Sequence, residues 1–270
     1  MVDMFKAIPN SKVFNEKIEV KPFANQFVDV IIPFYGNYEG LARLVYSLIY
    51  KTNLVNFRVC LVDDCSPNVT FHETGFEAFP NIKVVRNSSR QGFGASLEIG
   101  MNTLARERRV FPWVVFMHSD VVIKEKNWLL YLGQSMLNLK NKGVKMVSAT
   151  TNNPTANNPY LMSDKPQVRE DVILEDGYLP LYCALCHRDL FSHIHGSVKH
   201  YPYMGFEDRE LADRMRHYGY KQAICGKSWV QHEGAATLKY VRVKEPEVIK
   251  IIEENKNLWK EDVKNLKGKS

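Results

Sequence analysis

Apolar and polar positions follow two rhythms along the first half of the chain. Four short runs, Val28–Pro33, Phe57–Val62, Ile82–Arg86 and Trp113–Met117, are rich in β-branched and aromatic residues and far too short to cross a bilayer. They predict buried strands of a mostly parallel sheet, the first stopped by Pro33, which has no N–H to give a ladder. Leu41, Leu44, Val45, Leu48 and Ile49 recur at helical spacing from Tyr38 onward, and Leu97, Met101, Leu104 and Ala105 do so in a segment running to about Arg108. The order read from these runs is β-α-β-α-β-α-β. Right-handed crossovers turn that order into a parallel sheet with helices on both faces, a Rossmann-like α/β architecture.

Further along, the spacing predicts a helix from Lys124 to about Lys142 with Trp128, Leu129, Leu132, Met136 and Leu139 inward, then a strand over Val144–Ala149. Thr150 to Pro159 is rich in Asn, Thr and Pro, the composition of an exposed loop able to border a pocket. A strand over Leu179–His187, a short helix over Arg188–Ile194, an amphipathic helix over Glu207–Tyr218 and a last strand over 220–230 follow. The tail from Glu245 to about Leu266 carries Val248, Ile251, Ile252 and Leu258 as one stripe and predicts a packed helix. Residues 1 to 26 show no period and read as an arm lying on the domain or partly loose.

With 270 residues, 45% of them apolar, the chain can bury a sizeable core, which excludes a disordered protein. A formal charge of +6 and a pI near 8.9 favour anionic partners such as nucleotides, nucleic acid or acidic glycans, although the excess is spread along the chain and partly set by the tail. Met1 to Lys21 mixes lysines, asparagines and acids rather than forming an apolar signal region, so the sequence reads as a cytoplasmic protein. Five cysteines, mostly within apolar runs, fit reduced core thiols. Asn68-Val69-Thr70 and Asn87-Ser88-Ser89 match the glycosylation sequon, which carries no weight without secretion.

Candidate chemistry gathers at strand ends. Asp63 and Asp64 close one strand and Asp120 another, so a parallel sheet brings all three to one edge, with Pro33 and Tyr35 at a third tip. That set suits a nucleotide pocket in which one carboxylate accepts from a base N–H and another holds a divalent metal against phosphates. The competing reading makes these residues turn formers and caps, with Asp120 capping the helix near Lys124; the local sequence supports either. Glu207-Asp208 follows Tyr203-Met204-Gly205-Phe206. Carboxylates in a first helical turn are favoured by the macrodipole alone, yet an apolar wall beside them would raise a carboxyl pKa toward general-base duty. His232, again after a strand, is either a satisfied core histidine or a nitrogen ligand to a metal otherwise held by oxygens.

Two patterns are set aside. Cys183-Ala184-Leu185-Cys186-His187 matches the haem-attachment spacing and, with His193 and His195, resembles a zinc site, but it lies in an apolar strand whose successive positions face opposite ways. Gly92-Phe93-Gly94 lacks the third glycine of the dinucleotide fingerprint and follows the third strand rather than the first.

In this order, the residues resemble the family 2 glycosyltransferases of the GT-A fold across roughly Val28 to Gly234. Asp29-Val30-Ile31-Ile32-Pro33-Phe34-Tyr35 is similar to the family's opening strand, Val62-Asp63-Asp64-Cys65-Ser66-Pro67 to its nucleotide-contacting acidic turn, and Asn87 through Gly94, with Arg90 and Gly92, to its asparagine-then-glycine loop. His118-Ser119-Asp120 occupies the place of the family's Asp-x-Asp, Glu207-Asp208 that of its acceptor-side acidic pair, and His232 that of a histidine completing the metal shell in some members. The resemblance implies a GT-A domain at 27–240, with a nucleotide-binding half at 27–123 and an acceptor-binding half at 124–240, between the arm at 1–26 and a C-terminal helix at 241–270. It also implies an inverting transfer from a nucleoside-diphosphate sugar, UDP by family habit, to an acceptor hydroxyl. Pro33, Tyr35, Asp63, Asp64, Arg90, Gly92, His118, Ser119 and Asp120 would bind the donor, Asp120 and His232 would hold Mn²⁺ or Mg²⁺, and Asp208 beside Glu207 would take the acceptor's proton.

The chain departs from the pattern where His118 replaces the first Asp of Asp-x-Asp, which removes a negative charge from the donor site. It also lacks the Gln-x-x-Arg-Trp signature of processive synthases, Arg214-Met215-Arg216-His217-Tyr218 following the acidic pair instead, so transfer of a single sugar is expected. Two other readings stand beside that enzyme: glycosylation of a modified nucleic-acid base, which the basic balance permits, and a catalytically inert nucleotide-sugar or glycan-binding protein.

Overall fold

A computed structural model describes residues 23–67, 75–107, 109–153, 160–234 and 241–268. The expected arm up to residue 22, the sequon at Asn68, the helix end at Arg108 and most of the Asn-rich loop, 154–159, lie outside the described residues. The elements, in chain order, are β1 (Phe27–Phe34), α1 (Tyr38–Lys51), β2 (Asn56–Asp63), β3 (Ile82–Arg86), α2 (Phe93–Ala105), β4 (Trp113–Met117), β5 (Val121–Val122) and α3 (Trp128–Leu139). They continue as β6 (Val144–Thr151), β7 (Val172–Leu174), β8 (Cys183–His187), α4 (Leu190–His193), α5 (Glu207–His217), β9 (Lys221–His232) and α6 (Pro246–Lys267).

The strands join one sheet in the order β3-β2-β1-β4-β8-β6-β9-β5, with β7 paired on β9. β3, β2, β1 and β4 run parallel, β8 runs antiparallel to β4 and β6, and β9 is again parallel to β6. The carboxyl ends of β1, β2, β4, β6 and β9 therefore share one edge, where Asp63, Asp64, Asp120 and His232 all lie. α2 packs on β1 and β2 through Gly100, where a Cβ would sit 2.5 Å from Ile31 Cγ2. α3 packs on β6, β8 and β9, and Gly133 seats the fully buried ring of Phe23. At the opposite edge Asp29, fully buried on β1, accepts from Arg58 Nε at 2.6 Å and Arg188 Nη2 at 2.5 Å, so its charge is compensated on both sides.

Four expectations need correction. The helix expected from Lys124 begins at Trp128, because the residues after Asp120 form β5 and pair antiparallel with β9, Val121 opposite His232. Asp120 therefore caps no helix. Between β2 and β3 the described residues carry a 3₁₀ turn, Phe76–Ala78, where the βα alternation predicted an α-helix. β8 starts at Cys183 rather than Leu179, since the backbone N–H of Leu179 bonds the Gln222 side chain instead of a strand neighbour. The last strand runs on to His232 and carries a bulge: Cys225 faces Ala149, but Trp229 faces the next residue, Thr150. Gly226 in that bulge comes so close to the backbone that a Cβ would lie 2.3 Å from the Arg169 carbonyl oxygen.

Candidate functional site

A cavity of about 290 Å³ opens at the shared carboxyl edge. Of the residues singled out from sequence, Pro33, Tyr35, Asp64, Arg90, His118, Ser119, Asp120, Glu207 and Asp208 line it. Asp63, Gly92 and His232 stand behind the wall.

The two acidic residues after β2 are turned inward. Asp63 accepts from the Ser66 N–H at 2.9 Å and is ion-paired with Arg86. Asp64 accepts from the N–H groups of Gln91 (2.7 Å) and Gly92 (2.9 Å) and from Asn87 Nδ2 (2.9 Å), so its carboxylate ties the loop before α2 to the tip of β2. Gly92 has φ +90, and a Cβ on it would lie 2.8 Å from the Tyr201 carbonyl oxygen. Glycine thus lets the 201–203 segment close against the start of α2, where Phe93 N–H bonds Tyr203 O at 2.7 Å.

Across the cavity, ligand atoms of His118, Asp120 and His232 lie within 4.8 Å of one another. β5 and β9 bring Asp120 and His232 together. His232 is fully buried, its backbone N–H bonds Asn152 Oδ1 at 2.8 Å, and its Nδ1 lies 2.7 Å from the carbonyl oxygen of Asn153. A carbonyl only accepts, so Nδ1 carries the proton and Nε2 presents a lone pair. That lone pair faces Asp120 Oδ1 at 3.1 Å, two acceptors in contact unless a proton or a cation lies between them. Tyr182 stacks on the His232 ring at 5.3 Å and 21°, fixing its plane. Burial, and then the neighbouring His232, pull the His118 pKa down to about 4, against the opposing pull of Asp120, so His118 is a neutral donor at neutral pH. One carboxylate and two imidazoles, one of them oriented by the Asn153 carbonyl, fit a divalent metal ion.

The acidic pair at the start of α5 lies on the far side of the same cavity. It follows a tight turn in which Tyr203 (φ +63), Gly205 (φ +103) and Phe206 (φ +75) are left-handed, a local strain of the kind kept at working sites. Asn255, fully buried on α6, holds that turn by donating from Nδ2 to the carbonyls of Pro202 (2.8 Å) and Met204 (2.9 Å). Burial pushes Glu207 up to about 8, while its Oε2 accepts from the Gly205 N–H at 2.6 Å and its Oε1 is buried without a partner. Burial also raises Asp208 to about 6, against the hydrogen bond from the Arg209 N–H. A carboxyl near 6 on a cavity wall can be ionised at neutral pH and still take a proton.

Sequence reasoning missed Phe93, Leu181, Tyr203, Met204 and Ile252 on the cavity wall. It likewise missed Asn152, Asn153 and Tyr182 around His232. The Pro202-Tyr203-Met204-Gly205 turn held the available signal, a proline and a glycine closing on an acidic pair.

The chain belongs to the glycosyl transferase family 2, whose family model matches residues 29–200. Its fold is GT-A. Among solved structures it is similar to S. aureus TarS 1–349 in complex with UDP-GlcNAc, at 15% identity and a TM-score of 0.57 over 76% of this chain and 58% of that one. GalNAc-T7 with UDP, GalNAc and Mn²⁺ gives 15% and 0.57 over 78% and 44%. The mannosyltransferase PcManGT from Pyrobaculum calidifontis, in complex with GDP-Man and Mn²⁺, gives 16% and 0.55 over 82% and 62%. At these identities the likeness is one of fold, and the chain covers less than two thirds of each of those structures. No curated protein sequence matches it significantly. Among the described residues no helix is long and apolar enough to cross a membrane.

Proposed function

We propose that this chain transfers a single sugar, with inversion, from a nucleoside-diphosphate sugar to an acceptor hydroxyl. The observation that carries the reading is the pairing, across one cavity, of a His118–Asp120–His232 cluster with an Asp208 carboxyl raised to about 6. Similar folds holding UDP-GlcNAc, UDP with GalNAc, and GDP-Man support a nucleotide sugar, with UDP our first choice of donor.

In this reading residues 27–123 bind the nucleotide and residues 124–240 the acceptor, while 241–270 is a C-terminal segment carrying α6. Pro33, Tyr35, Arg90 and Ser119 hold the nucleotide from the wall, while Asp63, Asp64 and Gly92 shape the loop around it. His118, Asp120 and His232 hold a divalent metal; two imidazoles favour Mn²⁺ over Mg²⁺, which demands oxygen ligands. Bound there, the metal supplies charge neutralisation to the departing diphosphate. Asp208 takes the proton from the acceptor hydroxyl as that oxygen attacks the anomeric carbon; the bond from that carbon to the diphosphate oxygen breaks, and the nucleoside diphosphate leaves. Glu207, held protonated, keeps a second negative charge away from Asp208 and stiffens the turn that aims it.

The test is Asp208→Asn. Nucleotide binding should persist while release of nucleoside diphosphate from the sugar donor in the presence of acceptor is lost; unchanged release would remove Asp208 from the mechanism.

A further inference from the structure

Arg90 is the one Lys or Arg among the described residues lining the cavity, whose wall also carries the carboxylates of Asp64, Asp120, Glu207 and Asp208. Its guanidinium lies between two tyrosine rings, 3.8 Å from the centroid of Tyr35 and 4.4 Å from that of Tyr203. Its Nη1 is ion-paired with Oε2 of Glu245, and Oε1 of the same carboxylate accepts from the Tyr35 hydroxyl. One carboxylate therefore occupies both the Arg90 guanidinium and the Tyr35 hydroxyl. The Arg90 side chain is only 13% exposed and that of Glu245 22%, so the pair is substantially withdrawn from water. Arg90 Nε is buried without a hydrogen-bond partner, an unused donor on the same fork.

Helix capping does not account for the contact that Glu245 makes. The residue precedes α6, but its side chain makes no capping bond to the helix, and the backbone there is held by Glu245 N–H to Val241 O at 2.7 Å. The segment seats itself through a small apolar cluster apart from the main core, in which Val241 and Val248 pack with Tyr35, flanked by Tyr203 and Ile252. With the segment in place the cavity measures about 290 Å³, at the lower end of the roughly 300–1,000 Å³ typical of small-molecule sites. A diphosphate that reaches Arg90 and Tyr35 would have to displace the Glu245 carboxylate from both. A diphosphate brings more negative charge than one carboxylate, and it must find Arg90 on a wall otherwise rich in acids.

We infer that Glu245 is an internal competitor for the donor. Its carboxylate holds Arg90 and Tyr35 until the diphosphate displaces it, so the 241–252 segment sets donor affinity through the fraction of molecules in which the contact is broken. This rests on the donor-site reading above and adds a regulator to it.

The experiment is calorimetric titration of UDP and GDP, each with Mn²⁺, into the wild-type chain, Glu245→Gln and Glu247→Gln. Glu247 lies exposed in the first turn of α6 and controls for loss of one negative charge from the same segment. Glu245→Gln should bind at least about tenfold tighter than wild type, the scale of a lost charged hydrogen bond, and Glu247→Gln as wild type does. Binding to Glu245→Gln that is equal to or weaker than wild type overturns the competition and leaves the donor site standing. Binding to none of the three removes the donor site and the competition with it. Should Glu245→Gln not fold, hydrogen exchange in the wild-type chain decides. Saturating UDP and Mn²⁺ should speed exchange of the Glu245 and Val248 amides, and unchanged or slower exchange contradicts displacement.

Discussion

Nε2 of His232 faces Oδ1 of Asp120 across 3.1 Å while the proton of its ring is held on Nδ1 by the carbonyl of Asn153. Both ring nitrogens of His232, inside a wall that leaves it no exposure, thus face oxygen acceptors, a geometry that a proton or a cation between Nε2 and Asp120 relieves. Manganese binding followed by paramagnetic resonance should therefore weaken by about tenfold or more in either His232→Ala or Asp120→Ala, the scale seen when even the supporting partners of metal ligands are removed. His118→Ala should weaken it less, because His118 adds one neutral donor to a pair already assembled by β5 and β9. Manganese binding unaffected by Asp120→Ala would remove the cluster as a metal site.

Asp208 must be ionised to take a proton, and burial has raised it to about 6. Turnover should fall about tenfold per pH unit below that value and level off above it. A pH profile of the single-turnover rate checks this, and a profile flat from pH 5 to 8 would contradict the base assignment.

Glu207 makes a stability prediction with a definite sign. In the unfolded chain it ionises near 4.5, whereas the folded chain keeps its proton up to about 8. Stability is therefore lost progressively as pH rises from near 4.5 and the loss is complete by about 8. Glu207→Gln, isosteric with the protonated acid, escapes that loss. Urea midpoints of variant and wild type should converge at pH 5, with the variant more stable at pH 7.5 by on the order of 1 kcal/mol or more. A difference independent of pH would mean Glu207 is not held protonated.

Asn255 lies on α6, outside the matched family segment, yet its amide holds the two carbonyls of the strained turn ahead of Glu207. Asn255→Ala should cost about 1–3 kcal/mol by removing two hydrogen bonds made by a fully buried amide. It should also lower kcat while leaving nucleotide affinity within about twofold, since it touches the aim of Asp208 and not the metal cluster. A fall in affinity with kcat unchanged would place its role at the donor end instead.

The first half of the sheet was legible because each strand there is an unbroken apolar run ended by its own polar tip. Val28–Pro33, Phe57–Val62 and Trp113–Met117 lie within a residue or two of β1, β2 and β4, and the shared edge followed from parallel pairing alone. Asp120 was ambiguous from sequence, and what decides its placement is non-local: Val121 and Val122 pair with residues of β9 more than a hundred positions away, which no local pattern reports. The same holds for the surroundings of His232, since Asn152, Asn153 and Tyr182 come from two other segments. The three-residue bulge at Gly226 hid within a strand of good β-formers. Ile252 reaches the cavity because α6 folds back against it, and the amphipathic stripe of α6 predicted a packed helix without saying what it would pack against.

Calorimetric titration of the purified chain with UDP and GDP, each with and without Mn²⁺, tests the central claim most directly. One of these nucleotides should bind, UDP first, and Mn²⁺ should tighten its binding by at least about tenfold, the scale of charge neutralisation at a diphosphate. A folded chain that binds neither nucleotide, or binds one equally well without metal, would contradict that claim.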